Sequence, residues 1–251
     1  MVLTMAAGRA RFAPRAKRDR DFFLLVVALI WLGILMGFVP EIVAHVRMHR
    51  PPFPLVVHIH AAAFVGWLVL LTVQVALIRG GRPDIHRKLG ILGAVLAAIM
   101  LVLGAATSEI VDRLHFGTPD ADPPFLAIQI ADLLNFGVLA AAAVIWRKSP
   151  SAHKRLILLA TIFIADAGFA RWWGGAIAKA VGSGFWQDWL VFYLSDVLLV
   201  ALIAGYDLLT RRRLHPAFVA GSLFGLTVQV IAVWAYVSPW WKPVSIRLLG
   251  H

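Results

Sequence analysis

Residues 15–41 read RAKRDRDFFLLVVALIWLGILMGFVPE: six charges in seven positions, then eighteen residues, 22–39, without one. An α-helix rises 1.5 Å per residue, so about 20 mostly apolar residues cross a hydrocarbon layer of about 30 Å. The run is longer than a signal-peptide core and lacks a small-residue cleavage site, so it reads as a retained anchor. Six more stretches share its texture, and the spans fall at 22–41, 54–78, 89–110, 124–146, 156–176, 185–206 and 217–238. The expectation is an all-α, integral membrane helical bundle of about seven transmembrane helices. A basic N-terminal segment (1–21), a transmembrane domain (22–238) and an outer-side C-terminal tail (239–251) make up the chain.

Composition agrees. Of the 251 residues 61% are hydrophobic, against roughly 45–50% in soluble domains, and no water-soluble fold hides that much apolar surface. The chain has no Cys, which excludes disulfides, Fe–S clusters, thiolate metal sites and thiol catalysis. Seventeen of the 24 basic residues lie in four segments, Arg9–Arg20, Arg79–Lys88, Arg147–Arg155 and Arg211–Arg213, each beside an apolar run. The positive-inside rule puts these segments, and the N-terminus, on the cytoplasmic side of a bacterial inner membrane facing anionic lipid headgroups. No basic patch is interleaved with stacking aromatics, so the net charge of +11 does not point to nucleic acid. Trp172, Trp173, Trp186, Trp189, Trp240 and Trp241 all fall at expected outer helix ends, where amphipathic rings favour the headgroup layer.

The turns echo one another. Pro83-Asp84-Ile85-His86-Arg87-Lys88-Leu89 and Pro150-Ser151-Ala152-His153-Lys154-Arg155-Leu156 share the pattern P-x-x-H-basic-basic-L, with a looser third copy at Arg211–Pro216. One anchor helix followed by three hairpins is the plan this implies. Small residues four apart at Gly33/Gly37, Gly93/Ala97, Ala201/Gly205 and Gly221/Gly225 favour close helix packing, within a compact bundle, a homo-oligomer or a larger membrane complex.

His58-Ile59-His60, Trp67, Gln74, the turn His86-Arg87-Lys88-Leu89-Gly90, His153-Lys154-Arg155-Leu156 and His215-Pro216 together resemble a family of bacterial multi-pass membrane proteins of unknown function with an H-R-x-L-G turn. The likeness spans most of residues 55–216. It implies a membrane protein and no particular activity.

Polar side chains inside spanning segments mark candidate sites. His58 and His60 stand near the outer end of the second helix and Glu109 ends the third. The fourth carries Gln129, Asp132 and Asn135, the fifth Asp166 and Arg171, and the sixth Tyr193 and Asp196. All lie between the midplane and the outer surface, while the inner halves offer only Gln74. Gln129, Asp132 and Asn135 recur every three residues and are expected along one face, as are Tyr193 and Asp196.

Three readings stand for this cluster. Imidazole with carboxylates suits a transition metal in a redox or hydrolytic role, with His58 or His60 joined by two or three of Glu109, Asp132, Asp166 and Asp196. The carboxylates alone suit a proton or substrate pathway in a carrier. A structural network, as in an accessory subunit, would have Arg171 neutralise Asp166 or Glu109. His86, His153 and His215, next to basic residues at cytoplasmic helix starts, would anchor headgroups or bind an anionic or quinone group. A haem held by His86 and His153 at that edge is the weaker cofactor reading. The seventh helix has no histidine and no lysine in its middle, which argues against seven-helix zinc hydrolases and excludes a retinal Schiff base.

Overall fold

The computed structural model describes residue 12 and residues 18–250; the remainder of the basic segment Arg9–Arg20 lies outside the described residues. Seven long helices carry the apolar runs: α1 (Asp19–Arg47), α2 (Leu55–Arg79), α3 (Pro83–His115), α4 (Leu126–Ile145), α5 (Pro150–Val181), α6 (Phe185–Arg211) and α7 (Pro216–Val237). Single 3₁₀ turns flank α4 at Pro123–Phe125 and Trp146–Lys148, and no strand occurs among the described residues. All seven are long and apolar enough to cross a membrane, and helices satisfy their own backbone there. The fold suits a multi-pass membrane protein.

α1, α3, α5 and α6 run past their apolar spans, because hydropathy marks where lipid lies and backbone chemistry decides where a helix starts. Pro83, Pro150 and Pro216 open α3, α5 and α7 as the first helical residue, a position that needs no N–H and suits the fixed φ of proline. The sequence echo therefore corresponds to a shared helix start. An eighth helix, α8 (Trp241–Leu248), occupies the segment read as a tail. It is tied down by Arg113 Nε donating to Leu249 O at 2.7 Å and Trp241 Nε1 donating to Pro124 O at 3.0 Å.

α5 is the axis of the bundle, packed by α1, α4, α6 and α7. Its Leu159, Ile162 and Phe163 are fully enclosed. α2 and α3 pair at the periphery, burying little beyond Trp67, Leu68, Leu71 and Met100. Their exposed Val and Leu rows suit contact with lipid tails.

α1 meets α5 through glycine. A Cβ on Gly37 would stand 2.0 Å from Gly168 O, and one on Gly33 would enter the Phe169 ring at 2.3 Å. Gly221 and Gly225 likewise admit Leu159 and Phe163. Gly205 meets nothing within 4 Å, so the Ala201/Gly205 pair marks no close approach.

Candidate functional site

Just beyond the α1–α5 crossing the helices separate around a cavity of about 820 Å³ between α1, α4, α5 and α6. Pro40 removes the N–H that would bond the Met36 carbonyl, and both residues line the cavity. Phe125, Phe192 and Trp172 supply aromatic wall, and Asp132 and Asp166 supply carboxyl groups. The two carboxyls stand within hydrogen-bonding reach of each other. Ala167 N–H also donates to Asp166 Oδ1 at 2.7 Å, and Tyr193 OH donates to Asp132 Oδ1 at 3.4 Å. Asp166 is 3% exposed.

Behind this pair, on the α7 side, lies Asp196, 1% exposed. Gln229 Nε2 of α7 donates to its Oδ2, and Ser195 Oγ donates to Oδ1 at 3.3 Å. Among the described residues no Lys, Arg or His bonds any of these three aspartates. The nearest cation, Arg171, acts on Asp166 only through space. Its Nε donates to Glu41 Oε2 at 2.8 Å and its Nη1 to Ala167 O at 3.0 Å, at the cavity rim. Glu109 pairs with Arg113 at 2.9 Å. The neutralisation of Asp166 or Glu109 by Arg171 is therefore replaced by two separate pairs, Arg171–Glu41 at the cavity rim and Glu109–Arg113 along α3.

Asp132, Asp166, Asp196 and Tyr193 come together as the depth argument expected, whereas the other candidates do not join them. His60 stacks on Phe64 with ring centroids 4.2 Å apart and reaches the Leu103 backbone on α3; His58 is exposed near Phe53. Among the described residues no group of three or more His, Asp or Glu is arranged to hold a metal ion. Gln129, Asp132 and Asn135 do not share one face. Three residues turn a helix through 300°, so each step drifts back by about 60°. Gln129 lines a small pocket with α3 and α8 residues, Asp132 faces the cavity, and Asn135 Nδ2 donates to Gly225 O of α7 at 3.3 Å.

The opposite half holds a second buried cluster that the sequence reading missed, having credited that half with Gln74 alone. Arg155 and Asp207, both 0% exposed, form a two-armed ion pair, with Nε donating to Oδ2 at 2.7 Å and Nη2 to Oδ1. Arg155 Nη1 donates to Ser151 O at 2.9 Å. Arg211 joins Asp207 at 3.2 Å and Asp19 at 2.6 Å. Lys154 Nζ and Tyr206 OH complete the shell of Asp19 at 2.6 and 2.9 Å. The Phe12 ring lies over Arg155, 4.7 Å from its guanidinium carbon, and over Arg211 at 5.2 Å.

Of the three histidines of this face, His153 and His215 make local hydrogen bonds, while His86 Nδ1 is buried without a partner among the described residues. His153 Nδ1 bonds Ala143 O at 2.8 Å, and its ring meets His86 edge-on at 6.1 Å between centroids. Gln74 Nε2 donates to His86 O at 3.2 Å. His215 caps α7 by accepting Ala217 N–H at 3.1 Å and touches Phe12.

The chain matches no family model, no curated protein and no solved structure; its function is argued from the site alone.

Proposed function

We propose that the protein is a proton-coupled carrier for small cationic solutes, with the N-terminal, basic face toward the cytoplasm of a bacterial inner membrane. The observation that carries this reading is the Asp132–Asp166 contact in an 820 Å³ cavity, with no basic side chain bonded to either carboxyl among the described residues. An ionised carboxylate only accepts hydrogen bonds, so two carboxyls in contact need a proton on one of them. A cationic group entering the cavity meets two carboxyl groups and aromatic faces, both of which attract it. The proton then leaves as the solute binds, and binding and proton release become one exchange. Arg171 and Glu41 at the rim hold each other, so that Arg171 acts on the negative charge deeper in the cavity only through space. The orientation rests on the four basic segments and the positive-inside rule.

The test is proton movement in proteoliposomes loaded with a pH-sensitive dye and challenged with ethylammonium, guanidinium, tetramethylammonium and putrescine, alongside neutral sugars and carboxylic acids. At least one cation should trigger proton flux that Asp166→Asn and Asp132→Asn abolish while the variants keep their melting behaviour. Wild-type protein responding to none of the cations, or Asp166→Asn protein retaining the flux, overturns the reading.

A further inference from the structure

We infer that Asp196, Gln229 and Asn135 form a binding site for one sodium ion between α4, α6 and α7, behind the cavity and distinct from it. Gln229 and Asn135 are both 0% exposed. Each spends its amide nitrogen inside the protein, Gln229 Nε2 on Asp196 and Asn135 Nδ2 on Gly225 O. The oxygens of both amides, Gln229 Oε1 and Asn135 Oδ1, have no hydrogen-bond partner among the described residues. Gly225 is one helical turn before Gln229, so the two amides reach adjoining turns of α7. Gln229 Oε1 shares a carbon with the nitrogen that touches Asp196, which keeps it beside that carboxylate.

Two deficits thus coincide. Buried acceptors without donors are costly, and a buried carboxylate held only by neutral donors lacks a counter-charge. Water would supply donors to the amides and leave the carboxylate unbalanced. A basic side chain would balance the charge, but none is bonded there among the described residues. One small monovalent cation answers both, because amide, hydroxyl and carboxylate oxygens are hard ligands. A single carboxylate matches one positive charge, and the absence of imidazole and thiolate from the set disfavours a transition metal. Asp166 faces Asp196 through space, which adds to the attraction for a cation.

The experiment is equilibrium binding to the full chain in detergent. Radioactive sodium binding and tryptophan-detected melting are measured in sodium chloride, with potassium chloride and choline chloride at equal ionic strength as references. The expected result is a saturable rise in melting temperature with sodium that exceeds potassium and choline. Asp196→Asn should abolish both the rise and the radioactive binding, Gln229→Leu and Asn135→Leu should weaken sodium by about tenfold or more, and Asp132→Asn should leave it in place. Should Asp196→Asn fail to fold, the Gln229→Leu protein decides. Equal melting in all three salts, equal effects of sodium and potassium, or sodium binding retained in both Asp196→Asn and Gln229→Leu overturns the inference. No transport is measured, so this outcome is independent of the proton-flux result that tests the carrier reading.

Discussion

The same two helices hold opposite electrostatic arrangements at two levels. On α5, Arg155 and Asp166 are eleven residues apart, and on α6 Asp196 and Asp207 are also eleven apart. Eleven residues make close to three turns, about 16 Å, and return to nearly the same face. Because the helices run antiparallel, Arg155 faces Asp207 at one level and Asp166 stands toward Asp196 at the other. The first level is complete: each buried charge has an opposite partner, and Lys154, Arg211 and Tyr206 extend the pairing to Asp19. At the second level acid stands by acid, with a cavity on one side and unpartnered amide oxygens on the other. A paired level holds helices in register; an unpaired one leaves charge for a solute, a proton or an ion to satisfy.

Removing one member of the paired level should have the largest effect. Arg155→Ala leaves Asp207 buried with only Arg211 as partner, and breaking a buried pair in this way costs about 3–5 kcal/mol. Melting of the detergent-purified variant should fall accordingly. The double variant Arg155→Met/Asp207→Leu should recover most of the loss, since the penalty comes from a fully buried charge that keeps one partner in place of two. A double variant as unstable as the single would show that shape rather than charge matters there. Phe12→Ala comes next, removing the ring over Arg155 and Arg211 at a cost of about 1–2 kcal/mol. Its additivity with Arg155→Ala sharpens the assignment, because two changes at one contact should fall short of their sum.

At the unpaired level the sign changes. Asp166→Asn removes a charge with no bonded counter-charge, so melting should stay within about 1 kcal/mol of wild type or rise, while cation-triggered proton flux is lost. A collapse of stability comparable to Arg155→Ala would place Asp166 in a structural network and erase the distinction between the two levels.

Much of this was legible in the chain. Apolar run length located all seven helices, and repeated prolines marked three helix starts. Charge density alone would not have found the paired level. Arg155 stands one residue before the expected 156–176 span and Asp207 one residue after 185–206, so hydropathy assigned both to water-facing turns. The helices continue past those limits to Pro150 and Arg211, and Phe12, far away in sequence, helps cover the pair. The equal eleven-residue spacings on two antiparallel helices were the available signal. The acidic level was legible by depth, since Asp132, Asp166, Asp196 and Tyr193 do meet. Rotation around each helix was harder to read, as the dispersal of Gln129, Asp132 and Asn135 shows. His58 and His60 share that depth with the cluster, but α2 packs chiefly against α3 and α1 and meets α5 and α4 through Trp67, on Thr161 and Phe136, which depth cannot reveal.

The smallest expected effect concerns pH at the paired level. His215 lies in the connection between α6 and α7, where burial first, and the charge of Arg155 second, hold its imidazole below the ordinary value of 6.5. Its neutral Nδ1 accepts the Ala217 N–H, and protonation would convert that acceptor into a donor. From about pH 7.5 upward the ring is neutral whether the chain is folded or unfolded, and the cap contributes in full. On acidification the unfolded chain takes up the proton first, so the contribution declines as pH falls toward and through the folded value. Wild-type melting should therefore drop more steeply between about pH 7.5 and about pH 5 than that of His215→Asn, which keeps a capping oxygen without a titrating ring. Because burial is the larger cause, the extra slope should persist, slightly reduced, in Arg155→Met/Asp207→Leu protein. If it vanishes there, the Arg155 charge and not burial sets the imidazole, and the paired level acts on its surroundings further than its own contacts.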